Sequence, residues 1–284
     1  MPIRMKKAVM PIPYEQFHSL DYKVMGIAFA IHRELGRFWD EKIYQKELAY
    51  RCQAAGMEVS TEFSIEIVYK DFRKIYYIDL MIDNVIYELK TAKRLTSEHE
   101  KQTINYLLLT GLQHAKLINF QPSSVQYRFV STNLTPEIRR NFHTIENNWL
   151  ELDKSSSWLK TTFMDILNDW GCYLEVTLYQ NALIHLLGGM DNVLQSIDVR
   201  TASHFIGHQK VPLLSPYIAF FITSLTKNHL NYERHLENLL KFTSLKAIHW
   251  INMNHSTIMF KTILESSKKQ TMLLLKDETA LQKS

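Results

Sequence analysis

The spacing of hydrophobic positions changes several times along the chain, and each change predicts an element. From Phe17 to Gly36 apolar residues fall at Val24, Ile27, Ala28, Ile31 and Leu35, one face of a helix that Gly36 would stop. A second helix is expected from about Asp40 to Ala55, with Ile43, Leu48 and Cys52 inward and Gly56 beyond its end. The period then drops to two. Phe63, Ile65, Ile67 and Tyr69 alternate with Ser64, Glu66 and Val68, which predicts a strand. Ile75–Ile82 and Val85–Thr91 are β-rich runs separated only by Asp83-Asn84. A helix from about Thr96 to Thr110 and strands near Ala115–Phe120 and Val125–Val130 complete the order α-α-β-β-β-α-β-β, an α/β sandwich. Pro136–Leu152 reads as a further helix, and the polar run Asp153–Ser157 as a linker.

The second half repeats this order. An offset of about 133 residues aligns Glu100, Asn105, Leu107, Thr110, Leu112, Ile118 and Asn119 with Glu233, Asn238, Leu240, Thr243, Leu245, Ile251 and Asn252. An offset of about 135 pairs Gly36, Tyr44, Gln45 and Leu48 with Gly171, Tyr179, Gln180 and Leu183. Two runs of matches in the same order predict a degenerate internal duplication. The hairpin of the second copy is expected within Val211–Thr226, a stretch without an acidic or basic residue, and Gln102 and Tyr106 fall on His235 and Leu239. That copy keeps the apolar skeleton and drops the chemistry. Its expected job is structural, packing on the first copy as an intramolecular pseudo-dimer or extending a binding surface, with a higher homo-oligomer left open. The expected boundaries are 1–134 for the first domain, 135–157 for a helix and linker, 158–265 for the degenerate copy, and 266–284 for a Lys- and Gln-rich tail, read as a loosely held helix.

Composition narrows the class. At 284 residues, 46% hydrophobic and 22% charged, the chain is an ordinary globular protein, which excludes wholesale disorder and collagen-like repeats. A net charge of +4 permits nucleic acid as a partner without demanding it. Cys52 and Cys172 cannot staple a fold of this size, so a reducing compartment is expected. With no apolar leader or spanning run, the expectation is a cytoplasmic protein without a membrane partner. His204, His208, His229, His235, His249 and His255 fit no zinc spacing, and His208 reads as a turn residue. Trp158, Trp170 and Trp250 fall at core positions.

The candidate chemistry lies in the hairpin. If Asp83-Asn84 forms a two-residue turn, Ile82 faces Val85 and Asp79 faces Glu88, with Cβ atoms about 5 Å apart. Lys90, two residues beyond Glu88, shares that face. A hard divalent cation would relieve the repulsion of the carboxylates, and Asp, Glu and water suit Mg²⁺. The lysine would orient or deprotonate a water. The bland alternative is a solvated strand face on which Glu88 and Lys90 neutralise each other. Glu41 near the start of the second helix, and Gln102 with Tyr106 four residues on, are further polar groups that a helix surface also explains. Lys93, Arg94, Lys101, Arg73 and Lys74 are candidate phosphate contacts, and Tyr76 and Tyr77 flank the hairpin.

Taken together, Asp79, Glu88-Leu89-Lys90, the acidic residue on the preceding helix and Gln102-x-x-x-Tyr106 resemble the PD-(D/E)XK nuclease superfamily, and most closely the bacterial GxxExxY proteins. Ala30–Gly36, Tyr44, His99–Gln102, Asn105-Tyr106 and Leu117–Phe120 add to the likeness, which covers roughly residues 17 to 134. The resemblance implies a restriction-endonuclease-like αβββαβ core and a metal-dependent endo- or exonuclease using Mg (or Mn) on nucleic acid, DNA before RNA. Asp79 and Glu88 would hold the metal, with the Leu89 carbonyl as a further ligand. Lys90 would position the attacking water, Glu41 would be the auxiliary acid, and Gln102 and Tyr106 would shape the site. One position departs from the pattern. The first glycine of GxxExxY falls at Phe38, which leaves Asp40 as an alternative to Glu41. A second reading, from another class, is a non-enzymatic nucleic-acid-binding or scaffold protein that retains the nuclease fold.

Overall fold

The computed structural model describes residues 3–265, so the tail reading lies outside the described residues. The chain divides into two units, Met1–Ile138 and Arg139–Ser284. In the first, strands β1 (Ile3–Met5), β2 (Val59–Tyr69), β3 (Phe72–Ile82), β4 (Val85–Lys90), β5 (His114–Asn119) and β6 (Gln126–Ser131) form one sheet in sequence order. Helices α1 (Tyr14–Leu35) and α2 (Glu41–Ala54) precede β2, and α3 (Ser97–Thr110) joins β4 to β5. Only β4 and β5 run parallel, which is why a helix is needed between them.

The pleat sorts the two faces of this sheet. Leu80 and Ile82 of β3 and Val85, Tyr87 and Leu89 of β4 share a core with Val24, Ala28 and Ile31 of α1 and with Tyr44 and Leu48 of α2. Glu88 and Lys90 alternate with those residues, so they point to the opposite face. Across the sheet Glu88 is level with Leu117, and Leu117 with Arg128. Arg128 pairs with Glu100 of α3, so α3 covers the face that carries Glu88. Asp83 and Asn84 both have positive φ, 44° and 64°, the pattern of a type I′ turn. The expected register follows: Ile82 pairs Val85, Met81 pairs Ile86 and Leu80 pairs Tyr87.

In the second unit a short helix, α4 (Pro136–Arg140), straddles the boundary. Then come β7 (His143–Asn148), α5 (Lys154–Trp170), α6 (Val176–Leu186), α7 (Met190–Val193), β8 (Leu194–Arg200), β9 (Phe205–Ser215), β10 (Ile218–Thr223), α8 (His229–Lys241), β11 (Ala247–Asn254) and β12 (Thr257–Leu264). The sheet order is β7-β12-β11-β10-β9-β8, and the helix-joined pair β10–β11 is again parallel. Elements α5 to β12, with α7 as an added turn, repeat α1 to β6, so the chain holds a restriction-endonuclease-like α/β fold and a second similar copy. The sixth strand differs: β1 adds antiparallel beside β2, whereas β7 adds parallel beside β12, at the other edge.

The likeness extends to single hydrogen bonds. The Tyr44 hydroxyl donates to the Gly36 carbonyl at 2.7 Å, and that of Tyr179 to Gly171 at 2.6 Å. Asn119 spans the N–H and carbonyl of Ala92, as Asn252 spans those of Leu225. Thr110 donates to the carbonyl of Tyr106, and Thr243 to that of Leu239. The Arg128–Glu100 pair recurs as Lys261–Glu233.

Three expectations are corrected here. Pro136–Leu152 is not one helix, because helix ends at Arg140 and His143–Asn148 pairs with β12. Leu150 and Leu152 lie beyond that strand and pack against Ile218, Ala247 and Leu264. Asp153–Ser157 is not a linker: Asp153 accepts the Ser156 N–H at 2.8 Å and caps α5. Asp and Ser compete with a helix interior yet favour its start, so the same residues read as loop or as cap. His208 lies within β9, 3.1 Å from Asp198, rather than in a turn.

Candidate active site

Asp79 and Glu88 stand one position beyond the last ladder pair of the hairpin, Leu80 with Tyr87. There the strands part. The Leu89 N–H donates to the Asp79 Oδ2 at 2.8 Å, which turns that carboxylate toward β4. On the other side β2 is distorted as well. Glu62 has φ 48°, and no ladder pair joins it to Asp79 although Thr61–Leu80 and Phe63–Ile78 do pair. The Asp79 carbonyl instead accepts the Gln45 Nε2 at 2.7 Å, and that amide also donates to the Glu62 carboxylate at 2.9 Å. Lys42 closes the group with an ion pair to Glu62. Backbone strain of this kind persists only where neighbours enforce it.

Glu88 is 1% exposed. Its Oε1 accepts the Lys90 Nζ at 2.7 Å, while its Oε2 is buried with no hydrogen-bond partner. The solvated strand face is thereby excluded. Burial first, then the Asp79 charge, pushes the Glu88 carboxyl up to about 8. Burial also raises Asp79, against the Leu89 N–H that favours its ionised form, and raises Glu41. Burial pulls the Lys90 ammonium down, but the charges of Glu88, Asp79 and Glu41 outweigh it, and its pKa ends above the ordinary lysine value. Lys90 is therefore a cation at neutral pH. That favours an orienting role over a proton-abstracting one.

The remaining candidates gather around this core in two groups. Glu41 opens α2 and its Oε2 accepts the Thr91 N–H at 3.2 Å, which ties it to the end of β4; Asp40, the alternative, is exposed at the helix cap. On α3 the Gln102 Nε2 donates to the Tyr106 hydroxyl at 2.9 Å, and the Tyr106 ring meets Tyr76 edge-on at 6.3 Å. The Lys90 charge reaches the neighbouring His99, which burial and that charge lower in pKa. Among the candidate phosphate contacts, Lys93 and Arg94 are exposed, whereas Lys101 pairs with Glu98 and Arg73 lies 3.8 Å from Glu66. Lys74 lies over the Tyr76 ring.

The donor set fits a divalent cation on one observation, the orphaned Oε2 of the buried Glu88 beside the half-buried Asp79 carboxylate. Two carboxylates held out of bulk water with a single ammonium leave net negative charge, which a hard cation would offset. Among the described residues no group of three or more His, Cys, Asp and Glu forms a cage, so the offer is two carboxylates with main-chain oxygen and water. Gln45 and Glu62 were missed as site residues. Gln45 did carry a signal, since it recurs as Gln180, but Glu62 falls just before the strand expected from Phe63 and carried none.

A comparison with protein families bears on the same residues. The family model of the PD-(D/E)XK nuclease superfamily matches residues 18–130, a span inside the first unit that contains Glu41, Asp79, Glu88, Lys90, Gln102 and Tyr106. This part of the chain is thus similar to that superfamily. No curated protein and no solved structure matches the chain. Among the described residues, no helix is long and apolar enough to cross a membrane.

Proposed function

We propose that the first unit hydrolyses phosphodiester bonds in nucleic acid, DNA before RNA, and that the second unit is a duplicated copy without chemistry. The observation that carries this reading is the meeting of Asp79, Glu88 and Lys90 on the sheet face under α3, with one Glu88 oxygen unpartnered. Motif spacing favours the GxxExxY group within the superfamily. Asp79 and Glu88, with the Leu89 carbonyl, are the residues that would hold Mg²⁺ or Mn²⁺. Such an ion supplies Lewis acidity at the phosphate and lowers the pKa of a water.

The other roles follow from the chain's own geometry. Lys90, held as an ammonium by Glu88, orients the attacking water and steadies negative charge as it develops on phosphate oxygen. Glu41 fixes the end of β4 through the Thr91 N–H and adds a third negative group at the rim. Gln102 and Tyr106 form the wall contributed by α3. In the second unit the ladder register matches Asp79, Glu88 and Lys90 to Val211, Phe221 and Thr223, and Val176 stands where Glu41 does. No acid or base is left at any of them.

The test is cleavage of labelled DNA and RNA by the full chain in Mg²⁺ or Mn²⁺, beside Glu88→Gln and Lys90→Ala. We expect the first variant to abolish cutting and the second to slow it by at least about 100-fold. Cleavage that survives Glu88→Gln would place the activity elsewhere. Binding of nucleic acid with no metal-dependent cutting by the wild type would favour the scaffold reading.

A further inference from the structure

The segment between α1 and α2 carries the departure from the family pattern. In Gly36-Arg37-Phe38-Trp39-Asp40 the Phe38 side chain is 87% exposed and that of Trp39 50%. Two neighbouring aromatic rings are thus offered to solvent by a segment that is held firmly. The Tyr44 hydroxyl donates to the Gly36 carbonyl, the Trp39 indole N–H donates to the Leu35 carbonyl at 2.8 Å, and the Tyr44 ring stacks on Phe120 with centroids 4.4 Å apart. The Phe120 N–H in turn donates to the carbonyl of Lys90 at 2.9 Å, and Glu41, the next residue after Asp40, reaches the Thr91 N–H. The exposed aromatics are therefore tied to the end of the strand that carries Glu88 and Lys90.

Beside the segment lies an open cavity of about 760 Å³, lined by His32, Arg33 and Arg37 from the end of α1 and by Ser123 and Ser124 from the β5–β6 turn. Neither arginine forms an ion pair among the described residues. Glu34, between them in sequence, is held by Arg51 at 2.7 Å, which leaves Asp40 as the nearby unpaired carboxylate in the segment. Arg37 places its guanidinium over one face of the Phe38 ring, at 5.1 Å, and the exposure of Phe38 leaves the other face open. Unpaired cations, hydroxyl donors and an open aromatic face are the groups that recognise one nucleotide: phosphate on the first two, base on the third.

We propose that this cavity and the exposed Phe38 ring against which Arg37 lies form a subsite for an unpaired nucleotide of the substrate strand, with its phosphate on Arg33 and Arg37 and its base stacked on Phe38. The proposal deepens the nuclease reading and rests on it. It names the substrate as a strand that is single-stranded, or frayed, beside the cut, because a base inside a duplex is already stacked and has no face to give.

The test reads binding, so it stands apart from hydrolysis. Fluorescence anisotropy in EDTA compares the full chain on a single-stranded DNA of about 12 nucleotides, the same sequence as RNA, and the blunt DNA duplex. Phe38→Ala is expected to weaken binding to a single strand about tenfold while leaving the duplex unchanged, and Phe38→Trp to restore it. The DNA and RNA arms identify which strand is preferred. Arg33→Ala with Arg37→Ala is expected to weaken binding further and flatten the logarithmic salt dependence by about 0.7, the share of one phosphate. Wild-type affinity of Phe38→Ala for both single strands, or an equal loss on the duplex, overturns the subsite. Phe38 is too exposed for its removal to unfold the chain. Should the subsite fail while Glu88-dependent cutting persists, the hydrolytic reading stands. Phe38-dependent binding without any cutting supports the nucleotide site but sinks the hydrolytic reading, and with it the placement beside a cut.

Discussion

A carboxylate with one oxygen on an ammonium and the other on nothing weakens the fold that holds it. For Glu88 the sign of this effect can be worked out. Its folded pKa is raised, to about 8 from 4.5, so the unfolded chain loses that proton first. Folding is unhindered by Glu88 below pH 4.5, and stability is lost as pH rises from there toward 8. Glu88→Gln keeps the shape and removes the charge. We expect it to raise the unfolding free energy from urea titration in EDTA at pH 8 by on the order of 1–3 kcal/mol, and to change little at pH 4.5. Mg²⁺ should narrow the gap by stabilising the wild type alone. A variant no more stable than wild type at pH 8 would mean that Lys90 already neutralises Glu88, and the case for a cation there would weaken.

The hairpin sets Asp79 against Glu88, and its register depends on two turn residues. Asp83 and Asn84 both adopt φ above zero, and Asp83 also accepts the Glu58 N–H at 2.9 Å. Glycine takes the second position of such a turn with less strain than asparagine, so Asn84→Gly should stabilise the fold by roughly 0.5–1 kcal/mol, read as a higher thermal midpoint, with cleavage unchanged. Loss of cleavage at gained stability would show that the turn does more than hold register. This element was legible from sequence because a two-residue Asp-Asn break between β-rich runs has one economical solution. So were α1, with its apolar stripe, and α3, each with a glycine at its end. The strand β7 was not, since a six-residue edge strand of His143, Thr144, Ile145, Glu146, Asn147 and Asn148 has almost no apolar alternation and exists through pairing with β12, more than a hundred residues away. Nor was the Gln45–Glu62 brace, which depends on a left-handed residue within a strand. Local pattern carries period and punctuation. It does not carry contacts that two distant segments impose on each other.

At the scale of the whole chain, the two units solve the same buried problem with different chemistry. In the first, Lys116 of β5 reaches Asp21 of α1 at 2.6 Å, a largely buried ion pair. The corresponding residues of the second are His249 of β11 and Ser156 of α5, joined at 2.8 Å. His249 is fully buried, bonds Thr262 at 3.1 Å through its other nitrogen, and stacks on Trp149 at 4.2 Å. Burial lowers its pKa to about 4, with the Asp153 charge opposing. A folded pKa below the unfolded 6.5 means that stability is complete above pH 6.5 and is lost as pH falls toward 4, because the unfolded chain takes up the proton first. Between pH 7 and pH 5 the second unit should lose about 2 kcal/mol through this residue. Of the five tryptophans only Trp39 lies outside the second unit, so intrinsic fluorescence during urea unfolding reports mainly on that unit. The midpoint should fall on going from pH 7 to pH 5, and His249→Gln, whatever its stability at pH 7, should flatten that slope. An unchanged slope in the variant would mean that another group drives the acid sensitivity. In the second copy a neutral histidine bonded to hydroxyls fills the place of an ion pair for as long as the pH leaves it uncharged.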